Sequence, residues 1–361
     1  MGFSCGLVGL PNAGKSTLFA VLTGTPALIA AYPFSTLEPQ KGVVPVPDPR
    51  LQALVKLLSP PKVTPTVLEV VDIAGLVKGA NQGEGLGNQF LSHIRAVDLI
   101  IHVVRCFADS QVPHVAGEPD PKRDAEIVNT ELLLADLEVV ERRLEHVKKA
   151  ARTDPKAARA ELELLERCRH ALARGEALRT VELAEAELPV LKACGVLSAK
   201  PFFYAANVNW TDPPSLALAR KFEATAGPCP VVTVDGKLEG ELALLPAGEQ
   251  TGFRAELGLA ESALQRLVGV GYQLLGLLTF YTVVGEEVRA WSLPRGATAV
   301  EAAGKIHSDM ARGFIRAEVV QADEFLAAPS LSVLRERGAL RLEGREYRLR
   351  DGDVLTIRFA A

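Results

Sequence analysis

At 361 residues, 48% hydrophobic and 23% charged, the chain has the composition of a soluble globular protein long enough for two or three cores. A net charge of −4 excludes a general polyanion binder and leaves any nucleic-acid contact to a local patch. Five scattered cysteines without a C-x-x-C pair argue against a disulfide framework or zinc ribbon and fit a reducing cytosol. Strand-like residues begin at Gly2–Phe3, so no signal peptide is expected, and no apolar run approaches the roughly 20 residues that cross a bilayer. The expected location is the cytoplasm.

In chain order, "GFSCGLVGL" reads as a buried strand, "PNAGKST" as a glycine loop and "LFAVLTG" as the start of a helix. Residues 9–17 match G-x-x-x-x-G-K-[ST] with Gly9, Gly14, Lys15 and Ser16, in the strand–loop–helix setting that gives the motif meaning. Glycines let backbone amides face phosphate oxygens, Lys15 reaches the β- and γ-phosphates, and the Ser16 hydroxyl is a ligand for Mg²⁺. The helix adds its positive N-terminal end.

"TVLEVVDIAGL" is a second strand ending in D-x-x-G, with Asp72 expected to hold Mg²⁺ through water and the Gly75 amide to meet the γ-phosphate. Between the motifs, Thr36 is placed to complete the metal shell only while the γ-phosphate is present, which makes a switch loop. The next residue is Leu76, where Ras-like enzymes have a glutamine that orients the attacking water. A leucine cannot do this. His114, in "DSQVPHVAGEP", is one candidate substitute, and a monovalent cation such as K⁺ beside Asn12 is another. His102 lies inside the strand "LIIHVVRCF" and is expected to be a core residue; the glycine run at 82–90 reads as a loop after the switch.

Further strands are expected at "KPFFYAANV" and "CPVVTVDG", and strands alternating with helices indicate a mostly parallel, doubly wound sheet. Between about residues 121 and 195, two amphipathic stretches flank the breaker "TDP" and predict an antiparallel helical hairpin. That hairpin is either a packed subdomain or a projecting arm for a partner. From residue 280 the pattern changes to strand, turn, helix, strand, and "REYRLRDGDVLTIRF" is expected to be a hairpin turning at Asp-Gly. These features divide the chain into a nucleotide-binding domain at 1–279, carrying the helical insertion, and a small ubiquitin-like α+β domain at 280–361.

These residues resemble one family, the YchF or Obg-like P-loop ATPases, related to the Obg GTPases. The resemblance runs from "GLPNAGKSTLF" and "YPFSTLEPQKGVVPVPDPRL" through "VDIAGLVKGANQGEGLGNQFL", "NTELLLADLE" and "ANVN" to "VRAWSLPRGATAVEAAGKIHSDMARGFIRAEVV" and "RDGDV". It implies a Ras-like domain with an inserted helical hairpin and a C-terminal TGS domain. By matched position the nucleotide site is Asn12, Ala13, Gly14, Lys15, Ser16 and Thr17, Mg²⁺ is held by Ser16 and Thr36, and Asn207 and Val208 contact the base. A histidine at the position of His114 is associated with hydrolysis, and Lys15 and Gly75 serve the phosphates. Such proteins hydrolyse ATP slowly, in preference to GTP, and are linked to ribosomes and stress responses. The chain departs from the family at Trp210, where glutamate is usual, and in "VDGK" at 234–237.

The base is the open point. A guanine-specific domain carries Asn-Lys-x-Asp after this strand, and "AANVNWTD" offers Asn207 to Trp210 or Asn209 to Asp212. The first register is favoured because Asn207 directly follows the strand. Trp210 then stands where guanine requires a carboxylate, and an indole N–H can only donate, so the register argues for ATP. Trp210 either covers the base or packs nearby, and the rival register keeps GTP as the alternative. A different class of function, an RNA- or ribosome-binding module with incidental hydrolysis, rests on six arginines against three glutamates at 335–350. Binding through the C-terminal domain and helical arm, no membrane contact and a monomeric state are expected.

Overall fold

The computed structural model describes residues 2–24, 39–73, 86–153, 155–328 and 331–360. Thr36, Gly75 and Leu76 lie outside the described residues. The first elements are β1 (Phe3–Val8), α1 (Lys15–Thr23), β2 (Gln40–Pro45), α2 (Pro49–Leu58), β3 (Lys62–Thr64), β4 (Val67–Asp72), α3 (Leu86–Ala96) and β5 (Leu99–Arg105). Then come α4 (Pro121–Ala150), α5 (Pro155–Ala173), α6 (Leu188–Cys194), β6 (Phe202–Asn207), α7 (Pro213–Glu223), β7 (Val231–Val234), α8 (Gly236–Ala243), α9 (Ala247–Glu256) and α10 (Ala263–Leu274). The chain ends with β8 (Leu277–Val284), β9 (Glu287–Pro294), α11 (Ala299–Ile306), α12 (Ser308–Arg312), β10 (Phe314–Gln321), α13 (Ala322–Leu326), α14 (Leu331–Glu336), β11 (Arg341–Glu343) and β12 (Asp353–Phe359).

Two compact units result. The first comprises Ser4–Gly42 and Glu69–Leu267. Its sheet has the order β2-β4-β1-β5-β6-β7, and the β1–β5, β5–β6 and β6–β7 pairs are parallel. Every residue of β5 and β6 is buried, as unbroken apolar runs require when both faces of a sheet are covered. Ile94 of α3, Val128 and Leu132 of α4 and Phe222 of α7 pack with Ile100, Phe202 and Tyr204 of these strands. Parallel pairing places the carboxyl ends of β1, β5, β6 and β7 at one edge, and the loops that follow them build the site there.

The insertion is the expected hairpin. Asp120 caps α4 with Pro121 behind it, a start signal visible in the sequence. Leu144 and Val147 of α4 bury against Leu165, Cys168 and Leu172 of α5, while Arg143–Glu161 and Lys148–Glu166 pair across the seam at 2.7 and 2.8 Å. At its base, the buried Asp136 carboxylate accepts the Leu197 and Ser198 amides at 2.7 and 2.6 Å. Burial raises the Asp136 pKa, and the hydrogen bonds oppose that rise.

The second unit contains Val43–Leu68 and Val268–Ala361 with the first three residues. Its sheet has the order β11-β10-β12-β8-β9-β3. A division at 279/280 therefore omits an early segment. Leu51 and Leu54 of α2 enter a core with Tyr281 and Val288, and β3 pairs in parallel with β9 from Lys62↔Glu287 to Thr64↔Arg289. A three-residue strand paired more than 200 positions away leaves no local pattern to read. The Asp-Gly hairpin is also corrected. Residues 345–350 form no strand before β12; Arg348 makes only an isolated bridge to Thr298, and β12 pairs with β10 and β8. Gly352, at φ 90°, turns the chain into β12 from a loop.

Asp136→Ala should lower stability by about 3 kcal/mol, because two buried amides lose a charged acceptor together. Urea unfolding measures this; a loss under 0.5 kcal/mol would show that the hairpin base is held by other means.

Candidate functional site

The loop after β1 is held in an unusual conformation. Gly9 and Gly14 have φ of 152° and 95°, and Asn12 adopts a left-handed φ of 62°. A Cβ on Gly14 would lie 2.1 Å from Asn207 Nδ2, so only glycine fits between the loop and β6. Asn207 uses this closeness. Its Nδ2 donates to Ala13 O at 3.0 Å, and its Oδ1 accepts from the Gly236 amide at 3.1 Å. The carboxamide thus ties the phosphate loop to the start of α8.

Lys15 is buried, and its Nζ donates to Leu10 O at 2.9 Å. Burial lowers its pKa to about 8, against an opposing pull from Asp72. Ser16 Oγ donates to Asp72 Oδ2 at 2.7 Å, bringing the two expected metal ligands of the described residues together. Asp72 Oδ1 is buried without a hydrogen-bond partner. Burial raises the Asp72 pKa, opposed by Ser16 and Lys15. A hydroxyl beside an unsatisfied carboxylate oxygen is a donor set suited to a hard divalent cation.

These groups line one cleft of about 570 Å³ together with Phe107, Asp109, Val208, Asp235, Leu238 and Glu241. The volume is in the range of small-molecule sites. Neither register places a carboxylate in the cleft. Asp212 caps α7, accepting from Ser215 N at 3.2 Å, and does not line the cleft. Asp235 does line it, but accepts the Trp210 amide at 2.7 Å and the Leu238 amide at 2.9 Å. Trp210 does not line the cleft: its indole donates to Leu257 O at 3.1 Å, and its ring packs against the core.

A family model for a "50S ribosome-binding GTPase" matches residues 4–140, and the model "YchF-GTPase_C", described as a protein of unknown function, matches 277–360. The chain is 46% identical to the ribosome-binding ATPase YchF of Escherichia coli O157:H7, covering 99% of both chains. It is likewise 46% identical to that of Bacillus subtilis, over 99% of this chain and 100% of the relative. The chain belongs to the YchF family. The solved structure of the Schizosaccharomyces pombe YchF GTPase superposes with a TM-score of 0.85 at 32% identity, covering 99% of this chain and 98% of that one.

Within this YchF frame, His114 lies behind the phosphate loop rather than in the cleft. Its side chain is 3% exposed and lines a void of about 10 Å³ with Leu10, Pro11, Ala13 and Asp124. His102 is the core residue expected, with burial lowering its pKa to about 3. Asn12 donates its side-chain amide to Pro113 O at 3.0 Å. Sequence reasoning missed Arg105, whose guanidinium holds the Val112 carbonyl at 2.8 Å and stacks 4.5 Å from the Phe107 ring centroid. It also missed Asp235. Both sit at strand ends on the site's edge, which was the available signal.

If Lys15 meets a triphosphate it must do so charged, and phosphate would raise its pKa above about 8. Affinity should therefore be flat below pH 8 and fall about tenfold per pH unit above it, with proton uptake on binding. Calorimetry in buffers of different ionisation enthalpy reads this directly; pH-independent affinity up to pH 9.5 would remove Lys15 from phosphate binding. Gly14→Ala should displace Asn207 and weaken nucleotide binding about a hundredfold while the fold persists, measured by fluorescent-nucleotide titration and circular dichroism.

Proposed function

We propose that this chain is a slow, Mg²⁺-dependent nucleotide hydrolase that takes ATP in preference to GTP and acts as a switch at the ribosome or in a stress response. The phosphate end supports hydrolysis: Lys15 and the loop amides bind the phosphates, and Ser16 and Asp72, with Thr36 by sequence position, would hold Mg²⁺. When bound, that ion supplies neutralising charge to the β- and γ-oxygens. Gly75 would donate its amide to the γ-phosphate.

The preference for adenine rests on one observation. Asp212 does not line the cleft, and each oxygen of Asp235, which does, already accepts a backbone amide. Guanine needs an acceptor for its N1–H and N2 amino group, and an unmet buried donor is costly; adenine presents no such pair. Asn207 and Val208 would meet the base from the cleft wall, since the Asn207 carboxamide keeps one donor and one acceptor site beyond its present bonds.

One feature favours GTP as the second reading. Glu241 lines the same cleft from α8 and brings a carboxylate to it. Competitive binding of ATP and GTP decides: ATP should bind at least about tenfold tighter, and GTP winning would overturn the proposal. Glu241→Gln should leave the ratio unchanged if adenine is the base, and should weaken GTP alone if guanine is.

His114 is the proposed group for handling the attacking water. His114→Ala should lower kcat about a hundredfold with nucleotide affinity intact. Equal turnover of wild type and variant would exclude it. The same assay in potassium and in sodium tests the monovalent cation beside Asn12, with equal rates removing it. The ribosome enters through the names of the relatives, and the helical hairpin and C-terminal domain are the proposed contacts. Co-sedimentation with and without a non-hydrolysable ATP analogue tests whether association follows the nucleotide.

A further inference from the structure

His114 is held with both ring nitrogens committed. The Ala116 amide can only donate, so Nδ1, 3.0 Å away, accepts. The proton is then on Nε2, which donates to Asp124 Oδ2 at 2.7 Å. The two side chains are 3% and 5% exposed, so water does not compete. In this position the imidazole can neither take a proton from a water molecule nor give one. Its partner belongs to another element. Asp124 sits in the first turn of α4, the first helix of the hairpin, and its Oδ1 accepts from Nε and Nη2 of Arg123 at 3.1 and 2.9 Å. Arg123 also donates to Glu118 O at 2.9 Å, so the same turn holds the loop at His114 and at Glu118.

The other grip on that loop comes from the phosphate site. Asn12 Nδ2 holds Pro113 O, the residue before His114, and Arg105 holds Phe107 and Val112 through their carbonyls at 3.0 and 2.8 Å. Adjacent residues of one loop are thus fastened to the phosphate loop and to the hairpin's first turn.

We propose that Asp124 is a latch: it stores His114 away from the cleft, and movement of the first turn of α4 releases the imidazole for hydrolysis. Asp124 is a positioning residue, acting through His114 and not on the nucleotide. The inference rests on the reading of His114 as the group that handles water. It gives the hairpin a defined task, because whatever displaces its first turn sets the fraction of molecules with a free histidine.

Steady-state kinetics on the full chain tests this with Asp124→Asn, His114→Ala and the double variant. Asp124→Asn should raise kcat about tenfold with KM unchanged, and the increase should vanish in the double variant. A merely structural Asp124 would lower kcat or alter KM, and either result overturns the latch, as does an unchanged kcat or a rise that persists without His114. If His114→Ala alone leaves turnover unaltered, the reading of His114 fails first and the latch with it. Should Asp124→Asn fail to fold, Arg123→Gln loosens the carboxylate from the exposed side. It should raise kcat about threefold, and no rise would overturn the proposal.

Discussion

The carboxamide of Asn207 fixes the geometry of the site. A phosphate-binding loop must leave most of its amides free for the ligand, so its own hydrogen bonds are few, here Ala13 N and Lys15 Nζ to Leu10 O, and its glycines offer no side chains to pack. Its position has to come from outside. Asn207, at the end of the fully buried β6, provides it by hooking Ala13 O on one side and Gly236 N on the other. The missing Cβ of Gly14 makes the approach feasible. The phosphate loop and the start of α8 are therefore tied through one side chain.

The site carries an electrostatic cost. Lys15 and Asp72 are both drawn out of water, and each has its pKa pushed by burial toward the neutral form while the other pulls it back. Buried opposite charges recover only part of their lost hydration from one another. In the proposed reading, a triphosphate would supply the missing counter-charge to the lysine and a divalent cation would supply it to the unpartnered Asp72 Oδ1. The same frustration that makes the free site expensive makes the pair of ligands welcome together.

What could be read from the residues followed the range of the interactions. The phosphate loop, buried strands and helical hairpin are written in local spacing, and all were legible. Segment Val43–Leu68 was not, because β3 exists only through its pairing with β9. Asp-Gly before β12 looked like a hairpin because its turn chemistry is right, but the strand it implied is absent from residues 345–350. The base end was half legible. Chemistry showed that an indole cannot replace a carboxylate, and Asp212 before two prolines carries the same start signal as Asp120, yet no pattern could tell that Trp210 turns to Leu257. Which of several polar residues is already committed is a tertiary fact.

The slow turnover proposed for this chain would have a physical origin in this arrangement. Leu76 removes the usual water-orienting amide from the sequence, and the histidine that could stand in is stored with both nitrogens occupied. When a competent conformer is a minor fraction of the population, the observed rate is scaled by that fraction, whatever the intrinsic chemistry. The fraction here depends on a loop fastened at Pro113 to the phosphate loop and at His114 to the hairpin. In the proposed reading, nucleotide would act on the first fastening and a hairpin partner on the second. Because the two fastenings are on neighbouring residues, neither can shift without biasing the other, and by linkage the bias runs equally in both directions. A hairpin partner that frees the histidine must therefore bind differently according to what occupies the cleft, which is the physical content of a switch.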